Sequence, residues 1–391
     1  VTAAAAAGKG KKVDNMNLRR LEPDEHGKTR SLWEAVFQED MKAFLDYYYN
    51  VKTKDNKIYV IENEEHEICS MLQLNPYMIQ MGDQDFTGNY IIAVATRADC
   101  RKQGLMRKLL HASLRNMYDR GEIFTFLMPA AEAIYRPFDF RFVYRQRQGM
   151  VTGKCYSSDL YVVREAEKGD CRAMAKLARQ KLRPYQIYIK RDAAYYSVML
   201  KEQASEQGGV KLVYVNDTLV GFFAYTGESG YMIREPLFLA GYEKAFLQAV
   251  YQLTGDEEAA VKCYGIEDMD ADKVEYKPNI MFRILHPETV FAAIRVKGPL
   301  NVALNIIDPI IAENNRCLHL TAADGEYIKV VKEAGDPEAD TITIAALAGL
   351  LFGYHSAGDI MAEEEVNLSP ETVKQLERMD PLAKIFLNEV V

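Results

Sequence analysis

Apolar residues recur at three- and four-residue intervals from Arg30 to Asn50, at Leu32, Trp33, Val36, Phe37, Met41, Phe44 and Leu45, which predicts a helix. Strand-like runs follow at Lys57–Glu62, Ile68–Leu74, Tyr77–Met81 and Tyr90–Thr96, and the polar breaks Asn63–His66 and Gly82–Gln84 predict turns between them. The helical period returns from Gly104 to Asp119 through Leu105, Leu109, Ala112 and Met117. Gly121 ends that helix, and Phe124–Met128 reads as a short buried strand. Helix, antiparallel meander, strand, helix, strand is the order of an α/β domain with a mixed sheet.

The programme then recurs. Lys211–Tyr225 is again strand, polar turn and strand, like Lys57–Leu74, and a helical pattern at Asp170–Leu182 precedes it. Such self-similarity predicts an internal duplication. Beyond Val290 the character changes. Strand-like Val302–Ile307, Cys317–Thr321 and Tyr327–Val331 are separated by Asp308-Pro309, Asn314-Asn315 and Asp324-Gly325, and helical patterns follow at Thr343–Leu351 and Pro370–Met379. The expected domains are residues 16–150, 151–289 and 290–391: two α/β halves and an α+β third. Residues 1–15 are set aside as a tail, because Ala3–Ala7 precede Lys9, Lys11 and Lys12, the reverse of a signal peptide.

Composition narrows the function. A chain of 391 residues exceeds what one core usually supports. A net charge of −8 argues against a nucleic-acid partner, which needs a basic face. No apolar run approaches the ~20 residues that span a bilayer, so no membrane partner is expected. The six cysteines and six histidines are scattered singly, without metal-ligand or disulfide spacing, which points to reduced thiols, a cytoplasmic setting and no metal.

The chemistry concentrates in Ile91–Leu110. An apolar strand runs into a polar loop, then Arg101-Lys-Gln-Gly104, then an amphipathic helix. Glycine at such a bend turns main-chain N–H groups outward at a helix N-terminus, where a pyrophosphate docks. Arg101, Lys102 and Arg107 add local positive charge in an acidic chain. The later stretch Arg234–Gly241 has no such turn, so the second copy is expected to be degenerate.

With Met106 in the last place, this stretch resembles the Arg/Gln-x-x-Gly-x-Gly/Ala motif of GNAT acyltransferases. The chain further resembles the enhanced intracellular survival (Eis) family of N-acetyltransferases. That likeness rests on Val94-Ala-Thr96 before Arg101–Met106, on Ala130-Ala-Glu-Ala-Ile-Tyr-Arg-Pro-Phe-Asp-Phe140, and on the duplicated halves. Leu304-Asn-Ile-Ile-Asp308 and Ala345–Gly353 resemble that family's sterol-carrier-protein-like domain. The resemblance implies tandem GNAT domains, the second degenerate, and transfer of an acetyl group from acetyl-CoA directly to a primary amine of an aminoglycoside-like or polyamine-like cation. It also implies a homo-oligomer, hexamers being common among its members.

It assigns residues too. Val94, Ala95 and Thr96 would meet the pantetheine arm with main-chain groups. Lys102, Gln103, Gly104, Leu105, Met106 and Arg107 would wrap the pyrophosphate, with Arg101 alongside. Ala130 and Ala131 stand at the next coenzyme positions and offer no side-chain hydrogen bonds. Tyr135 would be the acid: a phenol near 10 giving its proton to a thiolate near 8.5 works uphill by only about 2 kcal/mol. The base would be the carboxylate of Val391. Trp33, Phe37, Glu39 and Asp40, on the first helical segment, would border the acceptor. The competing expectation is a lipid or hydrophobic-ligand carrier, with a deep apolar tunnel in the third domain and a closed groove at Gly104.

Overall fold

The computed structural model describes residues 16–156, 160–227, 230–267 and 271–389. The first half comprises β1 (Asn17–Arg20), α1 (Arg30–Val36), α2 (Lys42–Asn50), β2 (Lys57–Glu62), β3 (Ile68–Met81), β4 (Gln84–Thr96), α3 (Leu105–Asp119), β5 (Phe124–Leu127), α4 (Glu132–Tyr135) and β6 (Arg141–Thr152). The second comprises β7 (Tyr161–Glu165), α5 (Cys171–Leu182), β8 (Ile187–Ile189), α6 (Ala193–Ser205), β9 (Gly209–Val215), β10 (Thr218–Thr226), β11 (Met232–Phe238), α7 (Glu243–Thr254), β12 (Ala260–Tyr264) and β13 (Asp272–Ile284). The third comprises α8 (Pro287–Ala292), β14 (Arg295–Val296), β15 (Leu300–Ile307), β16 (Cys317–Ala322), β17 (Lys329–Glu333), β18 (Asp340–Thr343), α9 (Ile344–Leu351), α10 (Pro370–Leu376), β19 (Met379–Asp380) and β20 (Ile385–Phe386).

The helix expected over Arg30–Asn50 is two helices. Phe37 leaves helical geometry (φ −111°, ψ 74°), and α2 restarts after an extended Met41. The Trp33 indole N–H donates to Asp40 at 2.6 Å across the break and holds the chain bent. Both helices bury their apolar side in one cluster with Leu21, Ile58 and Val60, so the period runs on through the interruption. Ile68–Leu74 and Tyr77–Met81 are likewise one strand, β3, running through Pro76. Pro76 is tolerated because β3's outer edge is bare there: β2 pairs with it as far as Leu74, and β8 takes over at Ile79.

The main sheet runs β1-β2-β3-β4-β5-β13-β6-β12-β11-β10-β9-β7. The two halves trade strands. β13 of the second half lies beside β5 of the first (Met281 opposite Leu127), and β6 of the first lies beside β12 of the second (Val151 opposite Val261). β6 and β13 pair with each other in the middle. The third domain adds a four-stranded sheet, β17-β16-β15-β18. Its helix α9 is buried at every residue and packs on β6 and β13. Phe352, just past α9, meets Phe282 at 4.9 Å and Phe124 at 5.6 Å, so one apolar core runs from the first half into the third domain. β20 returns the chain to the middle of the molecule, pairing with β8.

Candidate active site

β4 carries an extra residue. Met71 of β3 faces Ala95 while Gln73 faces Ile92, and Ala93 takes up the bulge at φ 51°. The parallel neighbour β5 shares one registered pair with β4, Tyr90 with Phe126, and the strands part beyond it. Val94, Ala95 and Thr96 therefore face an open notch, with no main-chain partner on the β5 side among the described residues. Past the notch Lys102 (φ 61°) and Gly104 (φ 74°) are both left-handed, and they turn successive N–H groups outward before α3. The side chains of Arg101, Lys102 and Arg107 are exposed there, Leu105 is buried and Met106 partly so. Arg101 Nε donates to the Thr96 carbonyl at 3.2 Å. Gln103 Oε1 is buried without a hydrogen-bond partner. Ala130 and Ala131 are exposed on the loop after β5, across the notch. An anionic, donor-seeking coenzyme tail with a slender arm fits this arrangement.

Tyr135 ends α4 at 9% exposure, edge-on to Phe140, with ring centroids 6.0 Å apart. Burial pushes its hydroxyl up to about 12. The turn behind it is clamped by Arg283 of β13, whose Nε donates to the Phe138 carbonyl at 3.1 Å and whose Nη2 reaches Asp308 of the third domain at 2.6 Å. Arg283 and Asp308 are both fully buried. Tyr90 stacks on Phe126 at 5.1 Å. Its hydroxyl is raised chiefly by burial, and Tyr77, Glu389 and Tyr135 all lie close enough to add to the effect.

A cavity of about 500 Å³ opens where β3's edge is bare, between the end of α2 and α6 of the second half. Lys52, Tyr77, Tyr195, Glu202, Arg234 and Glu389 are among its walls. Lys52 Nζ donates to the Tyr77 hydroxyl at 3.0 Å and sits 4.2 Å from the ring centroid. Burial lowers its ammonium, opposed by Glu202, Asp55 and Glu389. Glu202 accepts from the Tyr47 hydroxyl at 2.9 Å, and burial pushes its carboxyl up to about 7 against the pull of Tyr47 and Lys52. Glu389 accepts from Arg191 at 2.9 Å and from Tyr195 at 3.2 Å, and Arg191 also holds Glu235 at 2.7 Å.

Trp33, Phe37, Glu39 and Asp40, expected at the acceptor, do not line this cavity. Trp33 is 2% exposed and packs on Tyr48 at 4.7 Å, which makes it core. Asp40 serves the indole, and burial raises its carboxyl; Glu39 points to solvent. Val391, the expected base, lies outside the described residues. The chain as far as Glu389 runs into the cavity wall. Lys52, Tyr77, Tyr90, Glu202 and Glu389 were not anticipated, since they converge from distant segments. The one sequence signal was the Tyr77–Met81 run, whose first residue faces the cavity.

The second half repeats the bulge, at Glu235 of β11 (φ 49°), where Phe222 faces Leu237 while Ala224 faces Arg234. The opening equivalent to the notch of the first half is occupied by the chain's own groups. The Gly241 N–H is taken by Glu243's own carboxylate at 3.1 Å. Asn388 lies against Gly265 just past β12, and Glu389 is tied through Arg191 to Glu235, so the returning chain crosses the notch's mouth.

Residues 17–143 match the model of the acetyltransferase (GNAT) domain, and residues 288–386 match that of the sterol carrier protein domain. The chain carries a GNAT acetyltransferase domain. The bulge, the splayed β4 and β5 and the left-handed turn before α3 all fall in or beside this GNAT domain's matched span. No curated protein matches the chain in sequence. Among solved structures, a probable N-acyltransferase from Enterococcus faecalis is similar (TM-score 0.80, 15% identity, 94% of this chain and 97% of that one). A GCN5-related N-acetyltransferase from Anabaena variabilis is similar too (0.75, 15%, 93% and 97%), as is Eis1 from Mycobacterium abscessus (0.69, 12%, 96% and 99%). At these identities the likeness is one of fold, GNAT halves and third domain together. Among the described residues no helix is long and apolar enough to cross a membrane.

Proposed function

We propose that the chain transfers an acetyl group from acetyl-CoA to the amine of a small molecule held in the cavity beside Glu202. The observation that carries this reading is the open notch between β4 and β5, with its cationic left-handed turn at Arg101–Gly104; Tyr135 lies on the short helix that follows β5. The pyrophosphate would take the N–H groups of that turn and the charges of Arg101, Lys102 and Arg107, and the pantetheine arm the main chain of Val94–Thr96. The amine nitrogen forms its bond to the thioester carbonyl carbon through a tetrahedral adduct, the carbon–sulfur bond breaks, and the sulfur takes the Tyr135 proton. The proton lost by the amine goes to Glu202, whose raised carboxyl suits a base at neutral pH.

A phenol near 12 is a weaker acid than the reference 10, yet the comparison that matters is with its partner. A thiolate released against the buried Tyr135 hydroxyl would be disfavoured by the same burial, so the gap between donor and acceptor would stay near its solution value of ~2 kcal/mol.

The carrier reading has less to support it. The third domain's interior is filled by α9 and Phe352, a recess beside Leu350, His355 and Met379 holds about 180 Å³, and the groove of about 680 Å³ that Phe352 and Ile385 border is shared with Tyr144 and Tyr185 of the two halves. The test is free-thiol release from acetyl-CoA with a panel of amines. Tyr135→Phe should lower kcat by ~10²-fold while acetyl-CoA affinity stays within about two-fold. Full activity in that variant removes Tyr135 from the reaction, and no turnover with any amine sinks the transferase reading.

A further inference from the structure

Lys52 and Glu202 face the same cavity with opposite charges, yet among the described residues each is hydrogen-bonded to a tyrosine rather than paired with the other. Each is partly buried, and each is met only by a phenol: Tyr77 for Lys52 and Tyr47 for Glu202. Among the described residues no carboxylate lies within ion-pair distance of Lys52, and no cation within that distance of Glu202. The other charges on the walls are already committed. Arg234 holds Glu206 at 3.0 Å, Lys190 holds Asp85, and Asp192 accepts the N–H of Tyr195 at 2.7 Å as the cap of α6. Glu389 and Glu235 share Arg191, as above, while Lys54 and Asp55 lie exposed at the rim.

Two withdrawn charges of opposite sign, each short of a counter-ion, are costly in an empty cavity and favourable in one that holds their complement. A polycation would satisfy Glu202 but meet repulsion at Lys52. A neutral amine would satisfy neither. We propose that the acceptor is a zwitterion, an amine that also bears a carboxylate, with Lys52 as the specificity residue that takes the carboxylate and Glu202 as the residue that takes the ammonium. The inference rests on the transferase reading and refines its substrate class from the cation that the family resemblance implies to an amino acid-like molecule. Tyr77 is part of the device: its hydroxyl accepts one Lys52 proton and its ring supports the ammonium, so the Nζ is aimed rather than free to swing.

The decisive measurement is a ratio. Free-thiol release is followed with a series of L-amino acids and with the matching amino acid amides, which keep the amine and lose the negative charge. The acids should exceed their amides in kcat/KM by ~10-fold or more, as expected for one charge-assisted contact in a sheltered site. Lys52→Met should collapse that ratio to within about three-fold, and Lys52→Arg, which keeps the charge and guards against a simple packing defect, should preserve most of it. Amides used as well as their acids would overturn the proposal, as would a preference that survives Lys52→Met. If neither series is acetylated while another amine of the panel is, the proposal is overturned and the transferase reading stands; if no amine at all is acetylated, the transferase reading fails by itself. Calorimetric titration of the same acids then decides the cavity's specificity: binding that weakens ~10-fold in Lys52→Met sustains it, and absence of binding ends it.

Discussion

Glu202 is where a single side chain has most to say. Its carboxyl is withdrawn into the cavity wall, with Tyr47, Lys52, Glu206 and Arg234 as its charged or titrating neighbours, and burial in the main raises it from 4.5 to about 7. As the proposed base, it would work only once ionised. The kcat/KM for the amine should therefore climb through about pH 7 and level above it, and Glu202→Gln should remove that limb as well as most of the rate. The sign for stability is opposite. A carboxyl that titrates higher in the folded chain than in the unfolded one favours folding while protonated, and the advantage drains away as pH rises from about 4.5 through 7. In urea melts at pH 8, Glu202→Gln should be more stable than the parent by on the order of 1–3 kcal/mol, with the difference closing near pH 4. Gly104 was legible in the sequence and Glu202 was not, for a physical reason. The need for a left-handed residue before a helix is local and leaves its mark in four neighbouring positions. Glu202 is one carboxylate on an otherwise ordinary helix, and only its distant partners make it unusual.

Among the elements, α4 and the turn after it show how the proposed acid is held by strands far along the chain. Tyr135 sits on a four-residue helix too short to be rigid by itself. Its order comes from Arg283, which grips the Phe138 carbonyl from β13 and Asp308 from the third domain. Asp308 is itself ringed by the N–H groups of Ile310 and Ile311 and the amide of Asn314. Arg283→Met would leave that carboxylate buried without its cation. It should cost ~3–5 kcal/mol in chemical denaturation and lower kcat even under conditions where the chain is folded. The amphipathic period located most elements of the first half to within a residue or two, including α3 and β2. It could not place the break between α1 and α2, because the apolar side continues through it while a tryptophan–aspartate hydrogen bond does the bending. Nor could it join the two runs that make β3, since Pro76 reads as a stop unless one knows the strand has a bare edge there.

At the scale of the molecule, the tandem α/β halves and the change of character near Val290 were visible in the order of patterns, and the exchange of β6 and β13 was not. Alternation says that a strand is covered, and nothing in it names the strand alongside. The exchange means that residues 16–150 hold β5 without the neighbour that completes its pairing, and β6 without β12. Produced alone, that stretch should aggregate or remain loosely packed, losing near-UV dichroism while retaining far-UV signal, whereas co-expression with the remainder should recover soluble material.

The same arrangement sets a timetable for the nascent chain. β5 leaves the ribosome well before β13, and at translation speeds of about 5–20 residues per second the open edge waits on the order of ten seconds for its partner. Vectorial, half-by-half maturation is therefore closed to this protein. The notch between β4 and β5 can take final shape only once the second half has been made, and an mRNA truncated between the two would yield a chain destined for the holdases and proteases rather than a smaller enzyme.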